Sequence, residues 1–200
     1  MPLEDDSAMD SRGDKRRRRI LDGFHDCIIK KGYAKTTLRD VAKAASMSAS
    51  HLLYYFSGKD AILQHYFDAV SQRIMQRIDS FRGEEPSRQF ELLADLFFAG
   101  RGITDSETGF MLECFGVAVH DPQLHREKAE LDRYCKDYLQ ELFAKLPSAR
   151  DDAPDHAENA YALLIGLRTA AFFDQRLSLS NARRLFREGV MRQAGLLPRD

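Results

Sequence analysis

The sequence lacks any hydrophobic run close to the ~20 residues that a membrane-spanning helix requires. Residues 1–24 are acidic and then basic, and they contain no apolar stretch of the kind found at the centre of a signal peptide. These two absences predict a protein that stays in the cytoplasm and has no membrane partner.

Cysteine is scarce, and its positions exclude the usual cysteine-based architectures. Cys27, Cys114 and Cys135 are odd in number, far apart and without CxxC spacing. Each lies among apolar residues at helical spacing. The pattern favours reduced, mostly buried thiols over disulfides, metal ligands or catalytic nucleophiles.

Sequence motifs for catalysis are missing as well. There is no GxSxG, no HExxH and no phosphate-binding loop, and the six histidines have no metal-ligand spacing. His120 and His125, beside Asp121, come nearest to a site, but their loop position favours chance. We therefore predict that the protein is not an enzyme and has neither a metal site nor a cofactor.

The alternating pattern of a β-strand is absent, whereas apolar residues recur at helical spacing along the chain. We predict an all-α fold of about nine helices. A small N-terminal domain at residues 15–60 would follow a disordered tail at residues 1–14. A larger helical domain at residues 61–200 would complete the chain.

The net charge of −1 hides a strong asymmetry. Residues 11–60 contain 12 Lys or Arg against five Asp, a surplus of seven positive charges, and the rest of the chain is mildly acidic. Segregated positive charge is typical of a protein that binds phosphates, as in nucleic acid. A merely solvated basic face is the alternative.

Two short helices joined by a tight turn are predicted inside the basic segment. Thr37 and Asp40 have the spacing of a capping box, and this second helix ends near Ala45. Ser48 can cap a third helix that runs to about Tyr54. This is the pattern of a helix-turn-helix, whose second helix enters the DNA major groove.

Side chains that read DNA bases must be small or able to hydrogen-bond, because base edges present only donors, acceptors and methyl groups. The start of the third helix has such side chains, whereas Met47, Leu52 and Phe56 are better assigned to the core. The predicted base-reading residues are Ser48, Ala49, Ser50 and His51.

The stretch "TTLRDVAKAASMSASHLLYYFSGKDAIL" resembles the DNA-binding domain of the TetR family of bacterial transcriptional regulators. The sequence departs from that family at Ser46 and Ser50, where relatives carry glycine, and at Leu53, where they carry tyrosine. The matching residues are Thr37, Val41, Ala42, Ala45, Ser48, Leu52, Tyr55, Phe56, Lys59 and, within one position, Leu63. The resemblance implies phosphate contacts by Thr37, Tyr54, Tyr55 and Lys59.

Ser57 and Asp60 also have capping-box spacing, which predicts the start of a fourth, longer helix. Loops are expected at "GITDSETG" and at "PSARDDAPDH", between the helices of the larger domain. By the resemblance, this domain binds a small-molecule effector and forms a dimer.

An effector pocket would be lined by residues of the middle helices, although plain core packing explains the same pattern. Glu113 and Arg168 are charged residues inside apolar runs, where they would pair with each other, bind the ligand or reach the surface. Arg168 is the candidate anchor for an anionic ligand. The predicted lining is Phe97, Phe98, Phe110, Met111, Glu113, Cys114, Tyr134, Tyr138, Arg168 and Phe172.

A stripe of small residues on the eighth helix would allow close approach of a second subunit, with apolar residues of the last helix completing a four-helix interface. Packing within one chain is the alternative. The predicted interface residues are Ala162, Gly166, Ala170, Leu185, Phe186, Gly189 and Val190.

These interpretations combine into one functional prediction. The chain would be a homodimeric repressor, associated with the nucleoid, that leaves a palindromic DNA operator when an unidentified small molecule binds. The alternatives are a transcriptional activator, a helical module that binds DNA without a ligand, and an enzyme on a helical scaffold.

Overall fold

The computed structural model describes residues 12–100 and 102–197, and the regular structure in these ranges is entirely α-helical. Nine helices follow one another along the described residues, which confirms the predicted fold class and helix number. They are α1 (Arg12–Lys31), α2 (Leu38–Ala44), α3 (Ala49–Leu53), α4 (Lys59–Asp79), α5 (Pro86–Phe98), α6 (Asp105–Ala118), α7 (Pro122–Ala144), α8 (Ala153–Phe173) and α9 (Leu179–Gln193).

The first helix begins at Arg12, three residues earlier than expected. Residues 12–14, which the sequence analysis assigned to a disordered tail, are therefore helical. Asp14 lies in the first turn, where the positive end of the helix dipole favours an acidic side chain. The remainder of the predicted tail, residues 1–11, lies outside the described residues.

Helices α1, α2 and α3 pack on one apolar core together with the start of α4. Ile20 and Phe24 of α1, Val41 of α2 and Leu52 of α3 are completely buried in it. These residues form the apolar stripes of the sequence pattern, so the stripes meet in the interior and the polar faces remain outside.

Both predicted caps of the helix-turn-helix are present. The Thr37 hydroxyl accepts a hydrogen bond from the backbone N–H of Asp40, whose carboxylate accepts one from the N–H of Thr37, and this is the reciprocal capping box. The Ser48 hydroxyl accepts a hydrogen bond from the N–H of His51, 3.2 Å away, and begins α3.

Two residues with a left-handed backbone end helices in this domain. Gly32 (φ 80°) follows α1, and its N–H donates to the Ile28 carbonyl over 2.7 Å. Ser46 (φ 56°) follows α2, and the next N–H, of Met47, donates to the Ala42 carbonyl over 2.9 Å. A residue with a Cβ costs ~1–2 kcal/mol in this conformation, so the serine strains the turn.

The predicted capping box at the start of α4 is wrong. The N-cap residue is Gly58, with extended backbone, and no side chain of the described residues caps the helix there. The carboxylate of Asp60 instead accepts a short hydrogen bond from the hydroxyl of Tyr33, so it is turned away from Ser57. Helix α4 is continuous across the expected domain boundary between residues 60 and 61.

Two segments predicted as loops belong to helices. Residues 105–109 form the first turn of α6, because Thr104 and Glu107 make a capping box that the sequence analysis missed. Residues 153–156 form the first turn of α8, where Pro154 is tolerated because the first N–H groups of a helix need no internal partner.

The three cysteines are free thiols, as predicted. Cys27 is half-buried, and Cys114 and Cys135 are buried. Burial raises the pKa of the Cys135 thiol to about 12 and raises that of Cys114 as well, so both remain protonated near neutral pH. No helix in the described part of the chain is both long and apolar enough to cross a membrane.

The strained turn at Ser46 generates a stability prediction. Ser46→Gly should raise the free energy of unfolding by about 1 kcal/mol, because glycine adopts a positive φ without the steric cost of a Cβ. Urea denaturation followed by circular dichroism measures the change. Ser48→Ala, a matched change on the other side of the turn, should lower it by about 1 kcal/mol because a helix cap is lost. An unchanged or lower stability of Ser46→Gly would contradict the strain.

Candidate nucleic-acid interface and effector cavities

The four residues predicted to read bases lie at the N-terminal end of α3, where Ala49 packs partly against the core. This recognition surface consists of Ser48, Ala49, Ser50 and His51. The two serines are exposed, and Ala49 and His51 are half-buried. The hydroxyls of Ser48 and Ser50 lie 3.0 Å apart. Because the Ser48 hydroxyl also caps α3, Ser50 has the hydroxyl that is freer to meet DNA.

Aromatic side chains border the recognition surface at the end of α3. Tyr54 is 83% exposed, which is unusual because large aromatic side chains are mostly buried in folded proteins. Tyr55 is half-buried between His51 and Tyr54, with ring centres 5.4 Å and 5.3 Å away. Leu53, where the TetR pattern has tyrosine, is half exposed.

Basic residues of α1 lie against the helix-turn-helix and extend its polar surface. Arg16 donates a hydrogen bond to the hydroxyl of Tyr55 over 3.3 Å. The guanidinium of Arg17 lies 5.6 Å from the centre of the Phe56 ring. These arginines were not among the residues predicted to contact DNA, although the run of five cations in residues 15–19 was the available signal.

Two of the predicted phosphate contacts have partners within the chain. The Lys59 ammonium donates to the Tyr33 carbonyl over 3.0 Å and lies 4.0 Å from the centre of the Tyr33 ring. The Thr37 hydroxyl belongs to the capping box with Asp40. Lys31 is the larger influence on that carboxyl, and together with Thr37 it holds the Asp40 pKa well below its usual range. These contacts fix the position of α2 against α1.

The residues predicted to line one effector pocket lie in three different places. Phe97, Met111 and Arg168 line a partly enclosed cavity of about 80 Å³ between α4, α6, α7 and α8, here called the core cavity. Glu113 and Phe172 line a wider depression of about 980 Å³ between α1, α6 and the end of α8, here called the open groove.

The remaining residues predicted to line the pocket contact neither cavity and are part of the packed core or its edge. Phe110 is completely buried, with ring centres 6.0 Å from Phe24 and 4.2 Å from Tyr66. Its ring therefore joins α1 to α4 rather than facing a cavity. The others outside both cavities are Phe98, Cys114, Tyr134 and Tyr138.

Hydrogen bonds hold the buried Tyr138 and the half-buried Tyr134 against neighbouring helices. The Tyr138 hydroxyl donates to the buried side chain of Gln89 over 2.5 Å. The Tyr134 hydroxyl donates to the carbonyl of Met75 over 3.2 Å. A buried hydroxyl needs such a partner, and both hydroxyls find theirs on a neighbouring helix rather than in a cavity.

Glu113 and Arg168 do not pair with each other. Glu113 is exposed, and its carboxylate accepts a hydrogen bond from the backbone N–H of Tyr33 over 2.9 Å. Arg168 is 6% exposed and makes an ion pair with Asp105 at 3.2 Å. Burial lowers the pKa of the Arg168 guanidinium, and the carboxylate of Asp105 opposes that shift.

The predicted dimer residues also divide into two groups. Ala162, Gly166 and Ala170 form an exposed stripe on α8, and Leu185 is 40% exposed beside them on α9. Gly189 is half-buried, and a Cβ there would lie 2.7 Å from Leu163. The prediction is wrong for Phe186 and Val190, which are completely buried because they pack α9 inside its own chain.

The chain combines a helix-turn-helix that has an exposed polar surface, basic residues beside that surface, and a larger helical domain. These are the features of a DNA-binding transcriptional regulator. Residues 20–66 match the family described as bacterial regulatory proteins, tetR family, and residues 86–195 match the C-terminal part of the BetI-type transcriptional repressors. The chain belongs to the TetR family, with a BetI-type C-terminal domain. The members of this family are regulators of transcription, not enzymes.

Related proteins agree with this assignment. The HTH-type transcriptional regulator BetI 1 of Chromohalobacter salexigens is 28% identical over 188 residues, which are 89% of this chain and 90% of that protein. A transcriptional regulator from Rhodococcus sp. Rha1 has the same fold, with a TM-score of 0.79 at 18% identity over 91% of this chain and 99% of its own.

A transcriptional regulator from Saccharomonospora viridis, solved in complex with choline, also has this fold. It has a TM-score of 0.76 and 21% identity, and the match covers 86% of this chain and 93% of that one.

The different burial of two phenylalanines generates a test of the cavity assignment. Phe110→Ala should lower the free energy of unfolding by about 3–5 kcal/mol, because it leaves a hole between α1, α4 and α6. Phe173→Ala, at a side chain that is 69% exposed, removes the same atoms and should cost far less. Urea unfolding curves of both variants measure the difference. Equal losses would contradict the core position of Phe110.

Proposed function

We propose that this protein is a homodimeric repressor that binds a palindromic DNA operator in the cytoplasm, at the nucleoid. A small molecule that occupies the core cavity would favour a second conformer, in which the two recognition surfaces no longer match the operator. Ligand shifts this equilibrium only as far as its affinities for the two conformers differ.

The recognition surface is the observation that carries the DNA-binding part of the proposal. Its hydroxyls, its imidazole and the exposed ring of Tyr54 offer hydrogen bonds and flat contacts of the type that base edges and phosphates accept. Arg16, bonded to the Tyr55 hydroxyl, supplies positive charge at the border, where a phosphate would contact both groups.

The exposed stripe on α8 supports dimer formation. A Cβ at Gly166 would have no atom of the described residues within 4 Å, so a second helix can approach the α8 backbone closely. Leu185 of α9, which is 40% exposed, adds apolar area. A two-fold axis here would present two copies of α3 to two half-sites, which is why the operator should be palindromic.

Helix α6 supports a path from the core cavity to the DNA-binding domain. Met111 and Thr108 of α6 line the cavity, and Phe110 of α6 contacts Phe24 of α1. Movement of α6 on ligand binding would therefore move α1. The choline complex of the Saccharomonospora regulator supports a small-molecule ligand for a protein of this fold.

Selection of bound sequences from random DNA tests this function. We expect enrichment of one palindrome, and binding to it should weaken with salt because Lys and Arg displace counterions from phosphates. Failure to enrich a palindrome, with binding independent of sequence, would favour a simple DNA-binding module. Transcription that rises when the protein occupies the operator would favour an activator.

Ser50 provides a specific test of base readout. Ser50→Gly should leave the melting temperature within a few degrees and change the preferred base at one position of each half-site, because it removes a hydroxyl from the recognition surface. Ser46→Gly, four residues earlier in the turn, is the matched control and should retain the original operator. Sequence selection with both variants decides the matter, and unchanged preferences of Ser50→Gly would contradict the assignment.

Gly166 provides the test of the dimer face. Gly166→Glu should convert the dimer to monomers, because a charged side chain would be buried between two copies of α8 without a partner. Gly83→Glu is the control, since no atom of the described residues lies within 4 Å of a Cβ there either and Gly83 is not on α8. Sedimentation velocity measures the mass. Dimers of Gly166→Glu would exclude this interface.

A further inference from the structure

The core cavity is almost entirely apolar, and one buried cation lines it. Arg168 lies on the inner side of α8 among side chains such as Phe97, Met111 and Ile165. A guanidinium has five N–H donors, which must find acceptors when it leaves water. The positions of these acceptors therefore determine what else the residue can bind.

Both terminal nitrogens of Arg168 donate hydrogen bonds at the rim of the cavity. Nη1 donates to Asp105 over 3.2 Å. Nη2 donates to the carbonyls of Ile103 and Thr104 over 3.2 Å and 3.1 Å, just before α6 begins. These bonds hold the guanidinium in one orientation, so the remaining nitrogen also has a fixed position.

The third nitrogen, Nε of Arg168, is buried and has no hydrogen-bond acceptor among the described residues. A buried donor without a partner is uncommon in proteins and indicates either strain or a missing ligand. Because Arg168 lines a cavity, the unpartnered Nε donor indicates that a bound ligand supplies the acceptor atom.

The ion pairs around the cavity leave no free carboxylate in its described lining for a ligand cation. Among the described lining residues Asp132 is the only carboxylate, and its oxygens accept hydrogen bonds from the Lys128 ammonium and the Tyr161 hydroxyl. The Lys128 ammonium also lies 4.7 Å from the centre of the Phe115 ring. A ligand cation would be suited by a carboxylate and an aromatic face. The Asp132 carboxylate and this face of Phe115 are already occupied by the Lys128 ammonium.

We infer that the effector of the core cavity is a small apolar carboxylate whose oxygen accepts a hydrogen bond from Nε of Arg168. A cationic ligand of the same size would instead lie beside the Arg168 guanidinium, and the Asp132 carboxylate that could bind it already pairs with Lys128. The cavity of about 80 Å³ restricts the apolar part to a short or branched chain. This inference rests on the proposed function, because it names the ligand class for the same cavity.

Three probes with the same number of non-hydrogen atoms separate charge from size. Isovalerate is an anion, isovaleramide is its neutral analogue, and choline is a cation. Isothermal titration calorimetry of the full-length protein should detect isovalerate, with isovaleramide at least about tenfold weaker, because charge-assisted hydrogen bonds exceed neutral ones. Tighter binding of choline, or binding of none of the three at millimolar concentration, would overturn the inference.

Two substitutions identify the residue responsible. Arg168→Met should weaken isovalerate binding at least about tenfold, whereas Arg176→Met, at an almost fully exposed arginine, should not change it. Asp105→Asn is the second variant in case Arg168→Met does not fold, because the Asp105 side chain is mostly exposed. Removing its charge should tighten isovalerate binding about threefold, and unchanged or weaker binding would contradict the inference.

Operator binding is measured separately with the same ligands. If isovalerate binds as expected but leaves operator affinity unchanged, the ligand class stands and ligand-controlled repression fails. If choline alone binds and also releases the operator, ligand-controlled repression stands and the carboxylate inference fails.

Discussion

The position of α6 is the constraint on which the rest of the molecule depends. Side chains from α4 and α8 hold its N-terminal turn, where Arg73 pairs with Glu107 and Arg168 binds Asp105. Further along, the Phe110 ring packs against α1. One helix thus lines the core cavity and also contacts the DNA-binding domain.

Much of the helix-turn-helix could be predicted from the sequence because its signals are local. The caps at Thr37 and Ser48 depend on residues three positions away, and the structure contains both. The cap expected at Ser57 failed because a distant residue, Tyr33, binds the carboxylate of Asp60. A competing partner 27 residues away has no signature in a local pattern.

The effector site was harder to predict, for a related reason. Helical spacing identifies the buried face of a helix but not the element that this face meets. Phe110 and Met111 are neighbours on α6, and both were assigned to one pocket, yet the first packs on α1 and the second lines the core cavity. Arg168 was recognised from its apolar surroundings alone, whereas its bond to Asp105, 63 residues earlier, required the fold.

The contact between Glu113 and the backbone of Tyr33 has a thermodynamic consequence. It joins α6, whose Met111 lines the core cavity, to the loop that follows α1, so under the proposed function it would couple ligand binding to operator binding. Linkage is reciprocal: a ligand that weakens operator binding by some factor must itself be bound more weakly, by the same factor, when the operator is present. Operator DNA would then act as an antagonist of the effector. Releasing the protein from its operator would therefore need a higher ligand concentration than saturating the free protein.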